Sequence, residues 1–503
     1  MDGESEEVSS NFKLLLVLAK SFMFVLASEI LYNLSSYVVH SGMGRILGPA
    51  DYGRYGIVVT LTTMIIVLIG NGIPTAMAKH LSEIFETKPG LVPVIKRQAA
   101  IAQTVLISAV TIIFYLVAPY ISLVLGDPSL TPLFRISTLI IPAFALASFY
   151  FSYFTGIHRF KVQAFLKTLR SISRIAFILG LAWYLKSYGL ALEGSIVGYI
   201  LAPFIVFLGA QFFYFSSRKK PEGTFNWKKL IHYAWPVTLF MLAYEFLITI
   251  DLYLVKGIMH DDFLTGIYNG IITVGRIPYY LFYALTILLL PAVSKSTSGN
   301  KPAETKKLVS QSLRLMVMFL IPICILMSIY SHPIIQVFYS KRFLEAAEPM
   351  SLFVFGVGFL TVFYVTTFIL NGAGKVKIPM IISFIGLATD TIITFILIKY
   401  YGLWGAVIGT SLTSLIIMSI ILVYTHRFFG YLFKLSSFIK ILIGSIILYG
   451  ASFLFPRDSL LFPLWSVILL GIYLIVLYLL KEVGPYELNI VKEMLARKKK
   501  VDL

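Results

Sequence analysis

The chain has 503 residues, 58% of them hydrophobic and only 13% charged, with a formal net charge of +18 and a mean hydropathy of +0.86. A water-soluble chain of this length needs a largely polar exterior, so this composition excludes a soluble protein. The basic residues fall in gaps between apolar blocks of about twenty, the length that crosses a hydrocarbon core as a helix. The positive charge therefore reads as membrane topology and contact with anionic lipid headgroups, not as a nucleic-acid surface.

In chain order, Met1 to Ser10 is acidic and lacks the basic flank of a cleaved signal peptide, so the first apolar block is read as a true span. Fourteen spans are predicted, at about 14–39, 55–76, 99–120, 133–154, 172–185, 190–215, 231–255, 264–291, 313–330, 349–370, 378–398, 402–424, 436–455 and 460–480, the short fifth extending at its lower end through Leu169. Cys324, in the ninth, is the lone cysteine and is read as a packing residue. Gaps after even-numbered spans are rich in Lys and Arg: Lys161, Lys167, Arg170 and Arg174 follow the fourth, and Lys295, Lys306, Lys307 and Arg314 the eighth. The other gaps hold only Arg45, Arg54, Lys186, Lys256, Lys341, Arg342, Lys399 and Arg457. Positive charge marks the cytoplasmic side, so both termini are expected in the cytoplasm and the membrane is expected to be the plasma membrane.

The sequence also repeats itself. Tyr188-Gly189-Leu190 matches Tyr401-Gly402-Leu403, Gly53-x-Tyr55 matches Gly266-x-Tyr268, and Gly44 matches Gly257, all at an offset of 213. Gly156-x-x-Arg159-x-Lys161 matches Gly372-x-x-Lys375-x-Lys377 at 216. A repeat of six spans starts both copies on the same membrane face. The expected architecture is an all-α polytopic membrane protein. It has two six-helix lobes, 1–225 and 226–430, related by a pseudo-twofold axis along the membrane normal, and two further helices with a basic tail in 431–503. The cleft between lobes is the expected site.

An ionisable group inside a span costs about 2.5–3.5 kcal/mol at the centre and needs a partner or water. Glu29 in span 1, Glu245 and Asp251 in span 7, and Asp390 in span 11 are the candidate coupling or gating acids. Arg276 in span 8 is a candidate cation for a phosphate, or a structural partner of Glu245 or Asp251. Arg45, Arg54, Arg135 and His40 lie near outer ends and are candidates for meeting a departing diphosphate, or are loop residues. Asn33, Asn71 and Asn269 read as interhelical hydrogen-bonding groups. His260-Asp261-Asp262 has metal-ligand chemistry but reads better as a short polar turn, so no metal is expected. Gly156, Gly372 and Gly374 read as helix stops. The 40 Phe and 30 Tyr are read mostly as interface and packing residues, with some free to stack on sugar rings.

The segment Arg45-x-Leu47-Gly48-Pro49-x-x-Tyr52-Gly53-x-Tyr55, followed by Gly72-Ile73-Pro74-x-Ala76, resembles the polysaccharide-transporter branch of the multidrug/oligosaccharidyl-lipid/polysaccharide (MOP) flippase superfamily. The resemblance implies a non-enzymatic flippase that carries a polyisoprenyl-phosphate-linked oligosaccharide across the membrane by alternating access. It implies membrane lipids and the lipid-linked saccharide as partners and no cofactor beyond a coupling Na+ or H+; a monomer is expected because two pseudo-equivalent lobes already form a cleft. The alternative is a Na+- or H+-coupled multidrug antiporter of the same fold. A glycosyltransferase or polymerase ranks below both, because every gap is too short for a catalytic extracytoplasmic loop.

Overall fold

A computed structural model of the chain describes residues 24, 27–70, 72–215, 220–299, 302–430 and 434–483. Asn71, Lys13, Lys20, Arg218, Lys219, Lys301 and the basic tail after 483 lie outside the described residues. Every regular element among the described residues is helical. Eight helical stretches are long and apolar enough to cross a membrane, judged by length and composition. The chain forms two compact units, Met1–Asn269 and Gly270–Leu503.

The first unit opens with α1 (27–47) and α2 (Pro49–Gly70), joined at Gly48, whose φ of 79° is left-handed and suits glycine. There follow α3 (Ile73–Ile84), α4 (Leu91–Val124), α5 (Leu130–Ser137) and α6 (Ile140–Gly156). Then come α7 (Phe160–Arg174), a π-turn (Ile175–Leu179), α8 (Gly180–Leu185) and α9 (Ala191–Phe215). The unit closes with α10 (Lys228–Leu247), α11 (Ile250–Met259) and the first half of α12 (Asp262–Gly275). Its apolar core joins α3, α4, α6, α7 and α9 through Met77, Leu81, Ile95, Phe154, Leu166 and Val206.

The stretch read as a basic gap after span 4 is helix. With the π-turn and α8 it runs unbroken from Phe160 to Leu185, so Lys161, Lys167, Arg170 and Arg174 belong to a helix. The physical reason is amphipathicity. Lys167, Arg170 and Arg174 fall three, four and seven apart on one face, while Leu166 and Ala164 pack into the core on another. A hydropathy window averages the two faces and sees a polar gap.

In the second unit, α13 (Ile277–Ser298) follows α12 after a break at Arg276, and α14 (Pro302–Ile329) and α15 (Ser331–Phe338) come next. The central helix is α16 (Ala347–Gly372), 78% of whose apolar window is buried. Cys324 is buried against it, its thiol 3.5 Å from the Val354 carbonyl. Next comes α17 (Lys377–Phe429), 53 residues bent at Gly402, then α18 (Leu435–Ser452) and α19 (Phe462–Leu479). Tyr473 of α19 donates to the Met318 carbonyl of α14 at 2.7 Å.

The sequence repeat is written into the backbone. Gly189 and Gly402, paired by the 213 offset, are both left-handed, with φ of 72° and 55°. His158 and Gly374, paired by the 216 offset, are left-handed as well. Their turns close alike: Arg159 N–H donates to Phe154 at 2.8 Å, and Lys375 N–H to Leu370 at 2.9 Å. Gly402 combines φ 55° with ψ −130°, a conformation that disfavours any Cβ. Gly402→Ala is expected to cost about 1–3 kcal/mol, read as a lower midpoint for thermal unfolding in detergent.

Candidate functional site

The buried charge of the first unit is organised by two helices that run side by side in the same direction. Lys167, Arg170 and Arg174 of α7 meet Glu29, Tyr32 and Ser36 of α1, each pair 138 residues apart. Lys167 pairs with Glu29. Arg170 donates to the Tyr32 hydroxyl at 3.0 Å, and its guanidinium lies 3.8 Å from the Phe144 ring centroid. Arg174 reaches Ser36 and Tyr199 hydroxyls at 3.5 Å and stands 5.0 Å from the Tyr32 ring centroid. It is 8% exposed. Among the described residues no carboxylate comes within ion-pair distance of Arg170 or Arg174. Hydroxyls and ring faces hold both guanidiniums, so their charge stays available to an anion.

Backbone contact fixes this arrangement. A Cβ on Gly198 would lie 2.6 Å from Ile178 Cα, and one on Gly194 2.7 Å from the Leu181 carbonyl, so α9 crosses the π-turn and α8 at glycines four apart. The residue after Gly198 is Tyr199, which therefore reaches Arg174. The Tyr52-Gly53-x-Tyr55 motif extends the same polar chain. Tyr55 donates to Tyr199 at 3.1 Å, Tyr52 stacks on Tyr55 with centroids 5.7 Å apart, and His40 Nδ1 lies 2.9 Å from the Tyr52 hydroxyl.

A second cluster sits where α2 begins. Arg54 contacts Asp262 at 2.8 Å and Asp127 and Asp51 at 3.9 Å. Buried Lys256 contacts Asp127 at 2.8 Å and also pairs with Asp262. Asp127 is in the turn between α4 and α5. Burial pushes its carboxyl up, but hydrogen bonds from Lys256 and Ser129 and the charges of Lys256 and Arg54 outweigh that and hold it below the usual carboxylate range. Beside the cluster, Gly53 and Gly266 of α2 and α12, partners in the repeat, meet backbone to backbone. A Cβ on Gly266 would lie 1.8 Å from the Pro49 carbonyl, and one on Gly53 2.3 Å from that of Asp262. Gly56 and Asn269, again 213 apart, meet in the same crossing.

The structure brings some of the sequence candidates together and leaves others apart. Glu29 faces the cationic stripe, and His40 lies further along its chain of tyrosines. Arg54 is paired with Asp262 and lies near Asp127 and Asp51. Asp262 of the His260-Asp261-Asp262 turn serves that ion cluster, Asp261 accepts the Leu264 N–H at 3.0 Å as a helix cap, and no metal-binding group appears among the described residues. Asp251 is buried and accepts the Tyr268 hydroxyl at 2.9 Å. Glu245 lies half-buried on α10, where its carbonyl accepts Thr249. Asn269 donates to the Tyr52 carbonyl at 3.4 Å. Arg45 is exposed at the end of α1, and Arg135 is exposed with its guanidinium 5.1 Å from the Tyr115 ring centroid. In the second unit, Asp390 is buried with Thr394 donating to it at 3.2 Å, and Arg276 interrupts α12 and α13. Lys167, Arg170, Arg174, Tyr32 and Tyr199 were not among the sequence candidates. Their signal was the three-four-seven spacing of the cations.

Apolar helices long enough to cross a membrane, with ion pairs buried among those of the first unit, define a polytopic membrane protein. The chain belongs to the polysaccharide biosynthesis protein family of the MOP superfamily: that family's model matches residues 18–297. The MatE family model matches residues 236–396. An uncharacterized membrane protein of Methanocaldococcus jannaschii is 23% identical over 419 residues, 79% of this chain and 95% of that protein. Among solved structures, the lipid II flippase MurJ in an inward closed conformation superposes with a TM-score of 0.73 at 18% identity, over 90% of this chain and 98% of that one. An inward-facing multidrug resistance MATE family transporter gives 0.67 at 12% identity, over 80% and 94%. These likenesses establish the fold.

Proposed function

We propose that the protein is a flippase that carries a polyisoprenyl-phosphate-linked oligosaccharide across the cytoplasmic membrane for surface glycan synthesis. The observation that carries this reading is the sign of the charge where α7 meets α1: Lys167, Arg170 and Arg174 on one helix face against the one acid Glu29 among the described residues there. An anionic phosphate or diphosphate suits such a surface, because arginine offers it paired, charge-assisted hydrogen bonds. A cationic drug would be repelled. Membership of the polysaccharide biosynthesis family and the MurJ-like fold support the same cargo class. In this reading fourteen spans form two six-helix lobes that work by alternating access as a monomer, with both termini cytoplasmic. The polar head crosses while the lipid tail stays in the bilayer, and no cofactor takes part beyond a coupling Na+ or H+.

The test uses the purified protein in vesicles loaded with undecaprenyl-diphosphate-linked saccharide, with an impermeant enzyme or lectin reporting which leaflet holds the sugar. The expected result is protein-dependent transfer between leaflets. Gradient-driven efflux of a cationic dye without sugar transfer would instead establish the antiporter reading.

A further inference from the structure

We propose that a cavity at one end of the first unit binds the headgroup of a zwitterionic aminophospholipid, with Lys186 taking its phosphate and Glu193 its ammonium group. The site shares no residue with the α7 stripe and does not depend on the cargo reading. The cavity, about 390 Å³, forms where the end of α1 and the start of α2 meet the start of α5 and the α8–α9 turn. Its volume lies within the range of small-ligand sites, about 300–1,000 Å³. Leu133 and Leu192 give it an apolar wall, and Asp51, Arg54, Lys186 and Glu193 bring charge to it.

The backbone of the α8–α9 turn sets two of those charges. A 3-10 turn, Lys186–Tyr188, ends at Gly189, whose φ of 72° is left-handed. Leu190 N–H then donates to the Leu185 carbonyl at 3.1 Å, and Gly194 N–H to the Leu190 carbonyl at 2.9 Å, so α9 begins at once. Lys186 and Glu193 therefore line one cavity from the two ends of one tight turn, with no ion pair between them. Asp51 and Arg54 answer each other at 3.9 Å, and Arg54 also holds Asp262. Among the described residues neither the Lys186 nor the Glu193 side chain has an ion-pair, hydrogen-bond or ring partner. The cavity thus keeps one cation and one anion, apart and uncommitted. A ligand of one sign would satisfy one and oppose the other, whereas a ligand carrying both signs satisfies both.

The internal repeat supplies a comparison within the molecule. At the 213 offset Lys186 corresponds to Lys399 and Glu193 to Ala406. Lys399 Nζ lies 4.2 Å from the Phe395 ring centroid, and the residue equivalent to Phe395 is buried Ala182. The second copy of the turn gives its lysine a ring and lacks the acid; the first has the acid and no ring. Trp183, Tyr184 and Tyr188, all exposed, border Lys186. Exposed Trp and Tyr mark the level of the lipid headgroups. The ligand that reaches this cavity is therefore a lipid, whose glycerol carbons meet the apolar wall. In the orientation proposed above it comes from the outer leaflet.

The test titrates short-chain phosphatidylethanolamine, short-chain phosphatidylglycerol and free phosphoethanolamine into the full-length protein in detergent, with melting curves to check that each variant folds. The wild type is expected to hold phosphatidylethanolamine about tenfold more tightly than phosphatidylglycerol, the worth of one charge-assisted contact, and free phosphoethanolamine most weakly. Glu193→Gln is expected to erase the preference, Lys186→Met to weaken both lipids, and Lys399→Met, in the other copy of the turn, to change neither. A wild type without the preference overturns the site, as does a Glu193→Gln variant that keeps it or a Lys399→Met variant as weak as Lys186→Met. Free phosphoethanolamine bound as tightly as the lipid overturns the lipid assignment in favour of a soluble zwitterion.

Discussion

Arg170→Met with Arg174→Met is expected to abolish leaflet transfer of a lipid-linked saccharide while the protein folds as well as before, or better. Each charge-assisted hydrogen bond to a phosphate contributes about 1.5–3 kcal/mol, so losing both guanidiniums weakens binding by at least about a hundredfold. Stability moves the other way because among the described residues neither arginine has a carboxylate within ion-pair distance. Burying a cation against hydroxyls and rings alone works against the fold, and a well-packed apolar replacement is neutral to stabilising by about 1–4 kcal/mol. Vesicle transfer and detergent melting curves, run on the same preparations, check the pair of outcomes. A double variant that transports normally would remove the stripe from the site. A folded but strongly destabilised one would show that the arginines are structural. Arg174→Lys keeps the charge but loses the planar fork, and is expected to fall between wild type and the double variant.

Lys256→Met is expected to destabilise the protein by about 3 kcal/mol at neutral pH, since it removes the buried cation of the cluster and leaves Arg54 alone to balance Asp51, Asp127 and Asp262. The effect should vanish in acid. The Asp127 pKa is depressed in the folded protein, so its contribution is fully present above the unfolded carboxylate value of about 3.9 and is lost as pH falls through the lower folded value. Melting curves of wild type and Lys256→Met should therefore diverge at pH 7, begin to approach each other below about pH 4 and converge only under the depressed folded value of Asp127. Equal melting points at pH 7 would show that Lys256 does not hold this end of the unit together.

Much of this architecture is legible in the amino-acid order. The helical class follows from blocks of apolar residues, and the family from the Gly-Pro-x-x-Tyr-Gly-x-Tyr segment. The 213 offset finds Gly53 and Gly266, whose contact in space needs coordinates. The stripe on α7 escaped because positive charge serves two purposes in membrane proteins: it orients loops, and it lines polar interiors. Only the angular spacing of Lys167, Arg170 and Arg174 separates the two. Asp251 and Asp262 drew attention as acids, but an acid's role depends on what stands opposite. Tyr268 and Arg54 are distant in sequence and become visible only in the fold. Lys186 and Glu193 read as ordinary loop charges until one cavity brought them together.

The meeting of Gly53 with Gly266 has a mechanical consequence. Two backbones that touch with no side chain between them have nothing to interlock, so α2 can roll on α12 as on a smooth bearing. Resistance to rolling must come from what flanks the contact: the ion cluster of Arg54, Lys256 and their acids on one side, and one turn along the Asn269 side chain set against Gly56. Salt ions and protons should therefore loosen one flank of this contact while the Asn269 wedge holds the other.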